Sequence, residues 1–155
     1  MKHTLLLTAA LAAFLVGCGP EKAPTPAPAP AAAKPSDAKL LQGDWVLVKA
    51  ELAGQPFPDA VLKSISLKLG DGTYEVIVGD KPDRGTFEVD ASTTPKGMVI
   101  QGTVGPNAGK TFPAIYEVEG DQMRICYDLS SAARPVAFKS EPGTKLYLVT
   151  YRRKP

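Results

Sequence analysis

From Asp44 onward the chain is written in short runs of alternating apolar and polar residues, separated by glycine, proline and aspartate. Period-two alternation over five to eight residues predicts half-buried β-strands rather than helices. The runs are Asp44–Leu52, Ser64–Leu69, Tyr74–Val78, Thr86–Asp90, Met98–Val104, Pro113–Glu119, Gln122–Asp128 and Lys145–Arg153. Within them Ile65, Leu67 and Leu69 share one face, as do Tyr74, Val76 and Val78, and Phe87 and Val89. Gly70–Gly72, Asp80–Gly85 and Gly120–Asp121 read as turns. Phe57–Ser64 is long enough for one or two helical turns, and Pro58 suits the first of them. Eight strands in sequence, joined mostly by short connections, would leave two exposed edges if laid out flat. The expected fold is therefore all-β: an eight-stranded antiparallel up-and-down barrel with one short helix after the first strand. A β-sandwich is the alternative.

A different pattern precedes the alternation. Leu5 to Val16 is an unbroken apolar run of twelve residues behind Lys2 and His3. A membrane-spanning helix needs about twenty, so the run suits the core of a signal peptide. It ends in Leu15-Val16-Gly17-Cys18, which resembles the lipobox of bacterial lipoproteins. That resemblance implies cleavage between Gly17 and Cys18, lipidation of the Cys18 thiol (palmitate among the acyl chains) and anchoring in a membrane lipid layer. Two or more acyl chains hold a protein stably where one does so only marginally. Gly19, in the place where an aspartate signals inner-membrane retention in enterobacteria, favours the outer membrane. Residues 18–39 are then rich in proline and alanine, without a large apolar residue before Leu40. Such a segment cannot bury a core and is expected to stay extended as a tether. At about 3.1 Å per residue it would reach roughly 60 Å. The division is residues 1–17 signal peptide, 18–39 lipidated cysteine and tether, and 40–155 folded domain.

Composition narrows the chemistry. The formal net charge is +2, so no general attraction to nucleic acid follows. His3 is the single histidine and falls in the cleaved segment, which excludes Ser-His-Asp and Cys-His catalysis from the mature chain. No catalytic residue, metal site or cofactor is indicated. Cys126, between the strand-formers Ile125 and Tyr127, reads as an inert buried residue, with Arg124 on its strand face. Asp71, Asp80, Asp83 and Asp121 fall at expected turns. Glu75, Glu88 and Glu117 lie opposite the apolar faces, where water is the expected partner. Tyr74, Phe87, Tyr116 and Tyr127 fall on apolar faces, as core or as the lining of a small pocket.

The stretch Gly105–Thr111, GPNAGKT, looks like a phosphate-binding loop. The pattern requires four residues between its first glycine and Gly109-Lys110-Thr111, and Gly105 leaves three. A helix should follow, and the strand-like Phe112–Glu119 follows instead. The stretch is read as a hairpin connection, with Lys110 a solvated charge and no nucleotide bound.

Two resemblances add to this reading. Gly43-Asp44-Trp45 at the start of the first strand, with Arg152 and Arg153 at the end of the last, is similar to the lipocalin signature. That likeness implies a tryptophan plugging one barrel end with an arginine packed across it. The domain as a whole resembles a family of lipocalin-like secreted domains, abundant in planctomycete bacteria and without an assigned function or catalytic residues. The matching stretches are Leu41–Trp45, Gly85–Asp90, Gly105–Thr111, Ile115–Asp121, Ile125–Tyr127 and Arg134–Phe138. The lipobox, the tether and the barrel pattern together point to a lipid-anchored binding module of the bacterial cell envelope, for a small apolar ligand or an envelope protein partner. The alternatives are an envelope enzyme built on Cys126 or a carboxylate pair, and a purely structural surface protein.

Overall fold

The structure, a computed structural model, describes residues 36–155. The signal-peptide stretch, the Gly17–Cys18 cleavage site and the tether up to residue 35 lie outside the described residues. Helix α1 (Asp37–Leu41) leads into β1 (Gly43–Leu52), followed by the two-residue β2 (Gln55–Pro56) and helix α2 (Asp59–Lys63). Then come β3 (Ile65–Leu69), β4 (Thr73–Val78), β5 (Lys81–Asp90), β6 (Lys96–Val104), β7 (Thr111–Glu119), β8 (Gln122–Asp128) and β9 (Leu146–Arg153).

β1 pairs with β3, and each strand from β3 to β8 pairs antiparallel with the next. β9 returns to β1, from Trp45 opposite Arg153 to Leu52 opposite Tyr147. This pairing makes one sheet closed on itself rather than the two sheets of a sandwich. β2 only folds back on the end of β1. Alternation sets what faces inward: Ile65, Leu67 and Leu69 are buried while Ser66 and Lys68 are exposed. On β1 the register slips between Leu47 and Lys49. The bulge carries the inward face from Trp45 and Leu47 to Ala50 and leaves Val48 outside.

The two barrel ends are built differently. One carries the connections at 70–72, 91–95 and 120–121, together with α1. Here Trp45 and Leu41 are fully buried, and the indole N–H of Trp45 donates to the Leu41 carbonyl at 2.9 Å. The Arg153 guanidinium lies 4.2 Å from the centre of the Trp45 ring. It also donates to the carbonyls of Gln42, at 2.5 Å, and Leu40, at 2.7 Å. A cation over an indole contributes about 0.5–2 kcal/mol, and the two bonds satisfy carbonyls at the end of α1. Gly43 makes the crossing possible. Its φ is +135°, and a Cβ there would stand 2.6 Å from an Arg153 nitrogen. Arg153 alone fills the arginine role, because Arg152 points outward from β9 and is exposed.

Helix α1 lies partly in the stretch expected to be tether. Asp37 holds it, accepting from Lys96 Nζ at 2.6 Å and from the Tyr116 hydroxyl at 2.9 Å. Folded structure therefore starts by Asp37, ahead of residue 40. Two further expectations change. Lys81–Gly85 is strand and not turn, so only Gly79-Asp80 turns the chain between β4 and β5. Pro82 is tolerated because β5 has β4 on one side there and meets β6 only from Arg84 onward. Glu75 and Glu117 do not face water alone: each sits opposite an arginine, Arg84 and Arg124, and pairs with it. Exposed pairs of this kind contribute at most about 1 kcal/mol.

The glycine account is testable by comparison. Gly109 also has a positive φ, +77°, but nothing lies within 4 Å of a Cβ built there. Gly109→Ala should cost about 1 kcal/mol, from the backbone alone. Gly43→Ala should cost about 2–4 kcal/mol, because Arg153 must also move. Urea denaturation reads both, and equal losses would contradict the role given to Arg153.

Candidate functional site

The opposite end carries the longer connections, at 53–64, 105–110 and 129–145. Below it the barrel holds a cavity of about 200 Å³. Leu69, Met98 and Tyr151 are buried deep in its lining, and the half-exposed Val78, Leu129 and Tyr147 stand toward the loops. Exposure thus rises from the Trp45 end to the loop end, and the cavity opens there.

Of the four aromatic residues singled out from sequence, two line this cavity and two do not. Tyr74 and Tyr127 do, joined by Tyr147 and Tyr151 of β9. Phe87 and Tyr116 are buried in the core outside the lining, and the Tyr116 hydroxyl is engaged by Asp37. Tyr147 stacks on Tyr127, with ring centres 6.0 Å apart, and meets Phe57 at a tilt of 35°, with centres 5.6 Å apart. Gly85 shapes the wall beneath Tyr74. A Cβ there would stand 2.6 Å from the Tyr74 ring, so the bare backbone lets the ring lie across β5.

One charged side chain lines the cavity, Asp83 on β5. It is 7% exposed. Its Oδ2 accepts from Asn107 Nδ2 at 2.7 Å, while its Oδ1 is buried and, among the described residues, accepts no hydrogen bond. Asn107 belongs to the GPNAGKT connection, which folds back on β6 instead of opening a helix. Gly102 N–H donates to the Lys110 carbonyl at 2.9 Å, and Gly109 N–H to the Gly102 carbonyl at 2.9 Å. Gly105, at φ +95°, passes so close to β5 that a Cβ would stand 2.6 Å from the Pro82 carbonyl. Lys110 is exposed and donates to the Pro106 carbonyl at 3.0 Å. The connection thus forms one side of the mouth and presents Asn107 to Asp83.

Burial raises all the cavity tyrosines. Desolvation, then the Asp83 carboxylate, pushes the Tyr74 hydroxyl up to about 12. Desolvation alone takes Tyr147 to about 12, and Tyr127 and Tyr151 rise further, first through deeper burial and then through the neighbouring tyrosines. At neutral pH the four are uncharged hydroxyls, each able to donate and accept. The cavity therefore offers apolar walls, aromatic faces, neutral hydroxyls and one carboxylate.

Cys126 lies away from this site. Ile125 and Tyr127 line the cavity, so Cys126 between them faces outward, beside Ile115 on the neighbouring strand. Both are fully buried beneath the 129–145 connection, which straps across the outside of the barrel. The Cys126 thiol donates to the Lys139 carbonyl at 3.4 Å, and burial raises its pKa. Arg124 gives it no charge to lean on, being paired with Glu117 and laid over the Phe138 ring at 4.8 Å. Asp128 starts the strap, accepting from Ser130 N–H, Ser130 Oγ, Ala132 N–H and Ala133 N–H. Arg134 continues it by lying over Gly97, where a Cβ would stand 2.6 Å from the guanidinium.

Sequence reasoning missed Asp83, Asn107, Tyr147 and Tyr151. The period-two pattern held three of them: Tyr147, Val149 and Tyr151 alternate on β9, and counting back from Phe87 through Gly85 reaches Asp83. Asn107 carried no such signal, since loop side chains follow no period. Compared with known proteins, the chain matches no family model, no curated protein and no solved structure.

Two outcomes follow. All five tyrosines of the chain have raised pKa values in the folded state. Their stabilising contribution is complete below the unfolded tyrosine value of about 10 and is lost as pH rises through the folded values. Ultraviolet titration should detect little tyrosinate at pH 10.5 in the folded protein and about four in urea; matching curves would contradict the buried cluster. Separately, the hydrogen bonds to Asp128 outweigh its burial and hold its pKa low. That contribution is present above about pH 4 and fades as pH falls through the folded value. Asp128→Asn should loosen the strap and speed alkylation of Cys126 at neutral pH at least tenfold. An unchanged rate would show that Asp128 does not hold it.

Proposed function

We propose that this protein is a lipid-anchored module of the bacterial cell envelope, whose barrel binds a small, largely apolar ligand. The observation that carries the binding half is the cavity of about 200 Å³, closed at the Trp45 end and open at the loop end. A barrel meant only as a solid block would fill its centre with side chains, as eight strands readily allow. The four tyrosine hydroxyls add specific polar contacts to apolar walls, the usual make-up of a ligand site. The Gly43, Trp45 and Arg153 arrangement supports the likeness to lipocalins.

The anchoring half rests on the sequence. Acylation of Cys18 would hold the chain to a membrane, with the outer membrane favoured, and the Pro/Ala-rich tether would let the barrel stand clear of the lipid. A ligand site at the end of such a tether samples the space beside the membrane.

Each half has its own test. Cells expressing the full chain and fed radiolabelled palmitate should label it, and Cys18→Ser should abolish the label. Labelling that survives the substitution would end the lipoprotein reading. Native mass spectrometry of protein extracted from its own cells should show an added small mass that unfolding releases. A bare protein mass in every preparation would contradict the ligand-binding reading.

A further inference from the structure

The free oxygen of Asp83 has a meaning that an apolar ligand alone does not supply. A buried acceptor without a partner is costly, and a buried carboxylate oxygen more so. Asp83 has only neutral groups for company: Asn107 donates to its Oδ2, and the Tyr74 hydroxyl stands within hydrogen-bonding reach of the carboxylate. The lining contains no lysine, arginine or histidine to balance it. The basic residue next to it, Arg84, points to the outside and is taken by Glu75. Around the same space stand the rings of Tyr74, Tyr127, Tyr147, Tyr151 and Phe112. Aromatic faces carry negative charge and attract cations, most strongly where water is excluded. Carboxylate and ring faces therefore give the cavity one electrostatic sign.

We propose that the cavity takes a small organic amine, with its ammonium group on the free oxygen of Asp83 and its apolar body among the tyrosine rings. The inference rests on the ligand-binding reading above and names the class of ligand. Size limits that class. An apolar protein cavity of about 150 Å³ accepts a benzene ring. The present 200 Å³ takes such a ring with a short chain. The ammonium supplies the donor and the charge that Oδ1 lacks. The tyrosine hydroxyls, neutral and able to accept, can take its remaining protons. Gly105 packs its backbone against that oxygen: a Cβ there would stand 3.1 Å from Oδ1.

The test uses three probes of one shape and three charges on the full chain: phenethylamine, 2-phenylethanol and phenylacetate. Isothermal titration calorimetry at pH 7 should give phenethylamine at least about tenfold tighter binding than either of the others, the range of a charged hydrogen bond. Asp83→Asn should erase that preference while leaving 2-phenylethanol binding in place. The proposal is overturned if phenylacetate or 2-phenylethanol binds as tightly as the amine, or if Asp83→Asn keeps the preference. Binding of 2-phenylethanol without a preference for the amine would sink the amine class alone, whereas no binding of any probe would sink the ligand-binding reading with it. Should Asp83→Asn fail to fold, the comparison of the three probes on the native chain decides the matter by itself.

Discussion

The pairing of β1 with β9 is the constraint on which the rest of the domain depends. It joins the first strand to the last and leaves the eight-stranded sheet without a free edge along its length. It also brings Arg153 opposite Trp45, more than a hundred residues earlier in the chain. The cation over the indole, the carbonyls of α1 beneath it and the bare backbone of Gly43 then form one unit. That unit seals one end of the barrel and ties α1 to it. Without closure none of these groups would meet, and the apolar faces of the strands would line an open sheet.

Closure at one end leaves the other free to carry a site. The plugged end uses connections of two to five residues, and the open end carries the three longer ones beside the tight Gly79-Asp80 turn. The GPNAGKT connection brings Asn107 to Asp83, and Phe57 packs on Tyr147. The 129–145 strap leaves the mouth and runs over the outer face, where it buries Cys126 and Ile115 in a small cluster of their own. The inside and the outside of the same strands are thus put to separate uses. Tyr127 faces the cavity, and Cys126, one residue earlier, faces the strap.

Much of the fold was legible because strand alternation is a local signal. The runs from Asp44 to Arg153 foretold the eight barrel strands and the helix after β1, and the edge argument foretold closure. The site was less legible. Asp83 sits in Lys81-Pro82-Asp83-Arg84-Gly85, whose residue types favour a turn, and only pairing with β4 makes it strand. Proline there loses nothing, because β6 has not yet joined. Helix α1 was hidden for a related reason. Asp37 gains its partners Lys96 and Tyr116 only through the fold, and no local pattern announces them. Arg152 and Arg153 were equivalent as letters, and the parity of β9 chose between them.

The central claim is that the barrel is closed around a space with an unpaired carboxylate, kept for a ligand. Electron density from crystals of protein purified from its own cells tests it most directly. The account predicts a non-protein molecule in the cavity, with a donor atom within about 3 Å of Asp83 Oδ1. Side chains collapsed into that space, with Oδ1 bonded to a group of the protein itself, would contradict it.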